Sequence, residues 1–241
     1  VLKLRADRFR LTDKPRANVI LGKLISLENQ TPHSGEREIQ MKYYKKLIGE
    51  KCYLSPISLD DVERYTEWVN DMEMGLFMPF SKVIIDLDKE RESLQQLMKE
   101  SFTFAIVERE INKAVGNCSL MGISSVHRHS WFGIFIGDKT YWNRGIGTEA
   151  TNLILDYGFN VLNLNNISLE VFDFNKRAIR CYEKVGFTKV GVRRKYVYIA
   201  GKYHDVVIYD ILAEEFESPY VNQIFERSTS EEAGRGKITF G

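Results

Sequence analysis

The sequence predicts a mixed α/β domain: an antiparallel start, one parallel crossover and an antiparallel finish. Three observations carry this reading. Strand-like runs at 102–107, 115–123 and 130–136 follow one another across short turns, as in an antiparallel meander. The last of them leads through a glycine-bearing loop into a helix and on to an alternating run at 167–172. A strand–helix–strand of that length is a right-handed crossover joining parallel strands. Two closing runs, about 189–199 and 203–212, flank a turn at Ala200-Gly201.

Taken in order, Lys51-Cys52-Tyr53-Leu54 reads as a strand ended by Pro56. Ser58 followed by Asp60-Asp61 marks a helix start, with Val62, Tyr65, Trp68 and Val69 on one face. Asp88 to Glu100 is a second helix, amphipathic through Leu94 and Leu97. Glu110-Ile111-Asn112-Lys113 turns the chain within the meander. Ala150, Ile154, Tyr157 and Val161 recur at helical spacing after the loop. In 167–172, Ile167, Leu169 and Val171 alternate with Ser168 and Glu170. Lys176 to Val185 is a helix with Ala178, Cys181, Tyr182 and Val185 on one face, and Gly186 ends it as a C-cap.

Length and composition bound the rest. The 241 residues fit one sizeable domain with appendages, or two very small ones. With 44% hydrophobic and 28% charged residues the chain has ample core and an ordinary soluble surface. A net charge of +1 gives no general attraction to nucleic acid or anionic membrane, so neither is expected as a partner. Cys52, Cys118 and Cys181 are odd in number and far apart, which points to buried thiols in a reducing cytoplasm. No apolar run approaches the length of a membrane span, and Val1-Leu2-Lys3-Leu4-Arg5 does not read as a secretory signal. Residues 1–40 lack sustained periodicity and are expected to be a weakly structured extension. The domain is placed at 41–213, and 214–241 is expected to be a mobile tail in which Tyr220–Phe225 can dock as a helical turn.

The stretch from Tyr141 to Ala150 is the most informative. A loop that opens a helix leaves backbone N–H groups unpaired, and with the helix dipole these attract a phosphate. Gly145 and Gly147 let that backbone approach a ligand closely. The residues do not form Gly-x-x-x-x-Gly-Lys-Ser/Thr, and the third glycine of Gly-x-Gly-x-x-Gly is absent.

Together these segments resemble the GNAT N-acetyltransferase superfamily. The loop is similar to its Arg/Gln-x-x-Gly-x-Gly/Ala acetyl-CoA signature as Trp142-Asn143-Arg144-Gly145-Ile146-Gly147. The block Asn175 to Phe187 resembles the family's Asn-x-x-Ala-x-x-x-Tyr-x-x-x-Gly-Phe. Gly201-Lys202-Tyr203-His204-Asp205 resembles the branch that contains ribosomal-protein alanine acetyltransferases (RimJ/RimL type) and spermidine acetyltransferases.

The resemblance implies a mostly antiparallel sheet flanked by helices, with two central parallel strands, 130–136 and 167–172, that splay apart. Acetyl-CoA is the implied co-substrate, with no metal. Its pantetheine arm would bond the free backbone edge at Ile134, Phe135 and Ile136, much as a neighbouring strand would. Its pyrophosphate would sit on the amides of Arg144, Gly145, Ile146, Gly147 and Thr148, with the Arg144 charge nearby. Asn175 and Ala178 would meet the pantetheine or thioester end. An N–H near Phe135 would hold the tetrahedral oxyanion. Tyr182 matches the tyrosine that protonates the departing thiolate in many relatives.

The general base is the gap. Many relatives place a glutamate just before the central strand, and here Arg128-His129-Ser130-Trp131-Phe132 puts Trp131 in that place. Neutralising a lysine-like amine of pKa about 10.4 at pH 7 costs roughly 4–5 kcal/mol, against about 1 kcal/mol for an α-amine near 7.7. A peptide α-amine or another low-pKa amine is therefore the expected acceptor, with polyamines and other small amines as alternatives. A noncatalytic acyl-CoA sensor that lost its base is the reading from a different class. Ser119 and Gly122 stand where spermidine enzymes carry acids, which weakens the polyamine alternative. The acids around the first helix (Asp60, Asp61, Glu63, Glu67, Asp71, Glu73) are read mostly as a solvated face. His127 and His129 lack further ligands for a metal site, and His204-Asp205 lacks a nucleophile elbow. Lys176, Arg177, Arg180 and Lys184 form a basic surface open to the coenzyme's 3′-phosphate. The protein is expected to be a monomer or homodimer.

Overall fold

The computed structural model describes residues 42–78 and 84–235. The expected 1–40 extension and residues 236–241 of the expected tail lie outside the described residues. An eight-stranded sheet runs in the order β1-β2-β3-β4-β5-β6-β8-β7. Its strands are β1 (Leu47–Ile48), β2 (Cys52–Pro56), β3 (Phe102–Glu108), β4 (Lys113–Ser124), β5 (His129–Ile136), β6 (Asn166–Phe172), β7 (Thr188–Ile199) and β8 (Lys202–Leu212). The neighbours pair antiparallel except β5 and β6, which are parallel. The helices are α1 (Val62–Asn70), α2 (Met72–Gly75), α3 (Leu87–Glu100), α4 (Ile146–Asn160), α5 (Lys176–Val185) and α6 (Val221–Arg235).

Strand alternation sends side chains to two cores. Leu120, Phe132, Ile167 and Leu169 pack against α4 and α5 through Leu153, Ile154 and Tyr182. Tyr53, Val107 and Phe135 pack on the other face with Tyr65 and Trp68 of α1 and Leu94 of α3. Short polar residues start the helices. Asp71 accepts from the Glu73 and Met74 amides, Asp86 from Lys89 and Asn175 from Ala178. Gly186 (φ 110°) closes α5, bonding back to the Tyr182 and Glu183 carbonyls.

Gly116 permits the close seating of β4 on β5. A Cβ there would lie 2.0 Å from the Phe135 carbonyl oxygen, so no other residue fits without displacing the strand.

Some elements differ from the sequence expectations. β1 and α2 are too short to announce themselves by periodicity. Asp61, expected on a solvated face, is buried and binds Lys42, Tyr43 and Arg64. The Tyr220–Phe225 patch lies at the start of a 15-residue helix. Buried Asp156 of α4 caps that helix, accepting from the Ser218 hydroxyl and the Tyr220 and Val221 amides. No helix among the described residues is long and apolar enough to cross a membrane.

Candidate active site

The parallel pairing of β5 and β6 is confined to three steps: His129↔Asn166, Ser130↔Ile167 and Trp131↔Ser168. Beyond them β5 stays with β4, from Leu120↔Phe132 to Gly116↔Ile136, while β6 stays with β8 as far as Phe172↔Val206. The two strands therefore part after Trp131. Between Phe132–Ile136 and Leu169–Phe172 lies a wedge whose inner edges have no ladder partners, and an extended chain can bond to such edges. Ile134, Phe135 and Ile136 line its β5 edge. One acceptor there is taken: the Trp142 indole donates to the Ile136 carbonyl at 2.8 Å.

The wedge opens toward the loop that precedes α4. Gly145 sits at the N-cap with φ 83°, a left-handed conformation that favours glycine, and α4 starts at Ile146. The buried Ile146 side chain anchors the first turn in the core. Intrahelical bonding begins with the Glu149 amide donating to the Gly145 carbonyl at 3.0 Å. The Ile146, Gly147 and Thr148 amides thus stand at the helix mouth, as an anion site needs. Arg144 is exposed, with its guanidinium 5.4 Å from the Tyr141 ring centroid.

Two contributors were not legible in the motif. The Glu149 carboxylate accepts from the Glu50, Lys51 and Cys52 amides at 2.8–2.9 Å, tying the β1–β2 turn to the first turn of α4. Lys51 then reaches over the loop, and its ammonium donates to the Arg144 carbonyl at 3.0 Å. Arg177 lies 3.4 Å from the Trp142 ring centroid and 5.4 Å from that of Phe77. It brings a guanidinium to the side chain that occupies the first place of the loop signature.

On the far wall, Asn175 caps α5 by accepting from the Ala178 amide at 3.2 Å, so that amide is already committed. Tyr182 stands edge-on to Phe132 and Phe187, with ring centroids 6.3 and 5.8 Å away. Burial, with Cys181 adding to it, pushes the phenol well above its ordinary value. The Tyr182 hydroxyl has no hydrogen-bond partner among the described residues, and the residue is 7% exposed. Cys181 lies 3.4 Å from the Thr148 hydroxyl, and burial raises its thiol pKa, as suits a structural cysteine.

At the other end of the wedge, Trp131 is 39% exposed at the last parallel pair. Ser119 is buried and bonded to the Thr103 hydroxyl at 2.8 Å, while a Cβ at Gly122 would touch the Trp131 ring at 3.7 Å. His204 pairs with Asp173 at 3.5 Å, whereas Asp205 accepts from the Lys195 amide. Among the described residues no group of three or more potential metal ligands comes together.

A wedge of free strand edges above a helix-mouth anion site suits an extended ligand that bears phosphates. The family described as acetyltransferase (GNAT) domain matches residues 51–188, and the chain belongs to that family. It is 27% identical over 178 residues to the uncharacterized N-acetyltransferase p20 of Bacillus licheniformis, covering 70% of this chain and 97% of that one. It is 38% identical over 102 residues to the spermidine N(1)-acetyltransferase of Escherichia coli K12, covering 42% and 54% of the two chains. The crystal structure of the Vibrio cholerae spermidine N-acetyltransferase with CoA and spermine is similar with a TM-score of 0.62 at 24% identity, over 69% of this chain and 98% of that one. The ribosomal-protein-S5-alanine acetyltransferase of Vibrio fischeri gives 0.61 at 22%, over 70% and 97%. At these identities the two structures establish the shared fold. The protein is an N-acetyltransferase that uses acetyl-CoA.

Proposed function

We propose that the acetyl group passes by direct attack, within a ternary complex, to a peptide or protein α-amine or another amine of low pKa. The pantetheine arm lies along Ile134, Phe135 and Ile136, and the pyrophosphate on the amides from Arg144 to Thr148. Asn175 and Ala178 bound the thioester end. The neutral amine attacks the thioester carbon, and an N–H near Phe135 holds the oxyanion. The C–S bond then breaks, the thiolate takes the Tyr182 proton, and the proton that the nitrogen sheds returns through water to the Tyr182 oxygen.

The observation that carries the acceptor reading is Trp131. It stands where the parallel pairing ends and where many relatives hold a glutamate, and an indole accepts no proton from an amine. An α-amine is partly neutral at pH 7, whereas an alkylamine near 10.4 is held almost wholly as ammonium. A second reading, acetylation of a polyamine, draws on the 38% identity to the spermidine enzyme. Against it stand Ser119 and Gly122, one buried in a hydroxyl pair and the other beneath Trp131, where carboxylates would attract a polycation. The test is competition between an alanine-led peptide and spermidine for acetyl-CoA, followed by thiol release and product mass. Preferential peptide acetylation is expected; a strong spermidine preference overturns the reading.

A further inference from the structure

We propose that Trp131 and Met121 form an apolar platform that selects the acceptor by its second residue, favouring peptides in which a large apolar side chain follows the residue to be acetylated. The proposal rests on the reading of the acceptor as a peptide α-amine and names the class of peptide.

The sheet faces show where an acceptor enters. Phe132, Ile134 and Ile136 of β5 and Ile167, Leu169 and Val171 of β6 belong to or pack against the core beneath α4 and α5. That core closes one face of the wedge, so the acceptor comes from the other. Strand alternation puts Trp131 and Gly133 on the open face. Pairing sets Met121 of β4 and Ser168 of β6 on either side of Trp131.

Two side chains cover the narrow end of the wedge on this face. Trp131 is exposed, and its ring lies over Gly122 in the irregular stretch of β4 between Met121 and Ser124. A Cβ at Gly122 would meet the ring's Cδ1 at 3.7 Å. The Met121 side chain runs across Gly133, its Cε 3.1 Å from the place a Cβ would take there. An indole and a thioether side by side make an apolar surface, and the thioether is soft enough to fit side chains of different shape.

The polar groups around the platform are engaged elsewhere. The Ser119 hydroxyl is paired with Thr103 at 2.8 Å. Ser168 donates to Asn166, whose amide donates to Asp210, each at 2.9 Å. Glu170 pairs with Arg193 of β7 at 2.9 Å, away from the wedge, and His129 stacks on His127 with ring centroids 6.2 Å apart. A charged side chain set on the platform would lose water and gain no free partner among these groups.

Distance assigns the platform to the second residue. The amine must reach the thioester near Phe135. Gly133, with Met121 across it, lies two residues back, about 7 Å at 3.3 Å per residue, and Trp131 lies two further. Successive Cα atoms of the acceptor are about 3.8 Å apart, so a leucine-sized side chain on its second residue spans that gap. In an extended acceptor the first side chain points the other way.

The test uses acetyl-CoA and alanine-led peptides alike except for leucine, glycine, glutamate or lysine in second place. Wild type should favour leucine over glutamate and lysine by at least about tenfold in kcat/KM, as the burial of one apolar side chain gives. Trp131→Ala should raise KM for the leucine peptide about tenfold, while its kcat and the glycine peptide stay within about threefold. Met121→Lys should turn the preference toward glutamate, a reversal that a merely structural role would not give. Thermal unfolding checks that each variant is folded, and M121K alone decides if W131A is not. A wild type indifferent to the second residue overturns the proposal. So does a leucine preference that survives both variants, or a loss in W131A shared equally by all four peptides. These outcomes leave the acceptor reading standing. A strong preference for spermidine overturns that reading, and this proposal with it.

Discussion

Replacing Tyr182 with phenylalanine removes one oxygen and leaves the ring that Phe132 and Phe187 pack against. The hydroxyl has no hydrogen-bond partner among the described residues, so its loss leaves none of their groups unsatisfied. The stability change should therefore stay under about 1 kcal/mol. Burial holds the phenol above its ordinary value of 10, so the group carries its proton throughout the working pH range and is available as an acid. General acid catalysis is worth roughly 10²–10⁴-fold, or about 3–5 kcal/mol of barrier at 1.36 kcal/mol per decade. Y182F should thus lower kcat by at least about a hundredfold in a thiol-release assay at saturating acetyl-CoA. Calorimetric titration should give an unchanged Kd for the coenzyme, and thermal unfolding an unchanged midpoint. A kcat within about threefold of wild type would remove Tyr182 from the mechanism. A fall in kcat accompanied by an equal loss of acetyl-CoA affinity would instead make it a wall of the binding groove.

Three further perturbations probe the frame around that step. Gly145→Ala forces a side chain into φ 83° with its Cβ 3.0 Å from the Lys51 ammonium; about 1–2 kcal/mol of strain and roughly tenfold weaker acetyl-CoA binding should follow, read by calorimetry. Lys51→Met removes a cation from the loop; coenzyme affinity should fall severalfold, and its salt dependence should flatten across a sodium chloride series. Glu90 is 5% exposed on α3, and burial raises its pKa from the ordinary 4.5 to about 7. The folded state then holds the proton more tightly than the unfolded chain, so stability falls as pH rises from 4.5 through 7. Glu90→Gln should abolish that slope in urea unfolding and add about 2–3 kcal/mol at pH 8.

How much of this was legible in the residues follows from where the determinants lie along the chain. The loop from Trp142 to Thr148 and the block from Asn175 to Phe187 are contiguous, because a helix mouth and a helix face are built from near neighbours. Their chemistry can be read as spacing. The succession of strands was similarly readable, since alternation at 167–172 and the closing hairpin are local patterns, but not that β8 rather than β7 would lie beside β6. Lys51 and Glu149 are 98 residues apart, and nothing in either segment announces a carboxylate that clamps a distant turn. Asp61 looked like one acid among six on a helix face, and only the arrival of Lys42 and Tyr43 makes it a buried hub. Trp131 shows the same limit. The sequence singles it out, but its place at the last parallel pair depends on where β5 and β6 part, which is a property of pairing between two strands. A site assembled at the end of a ladder is therefore harder to read than one assembled within a loop. For this chain the coenzyme half belongs to the readable kind, and the acceptor half, around Trp131 where β5 and β6 part, to the other.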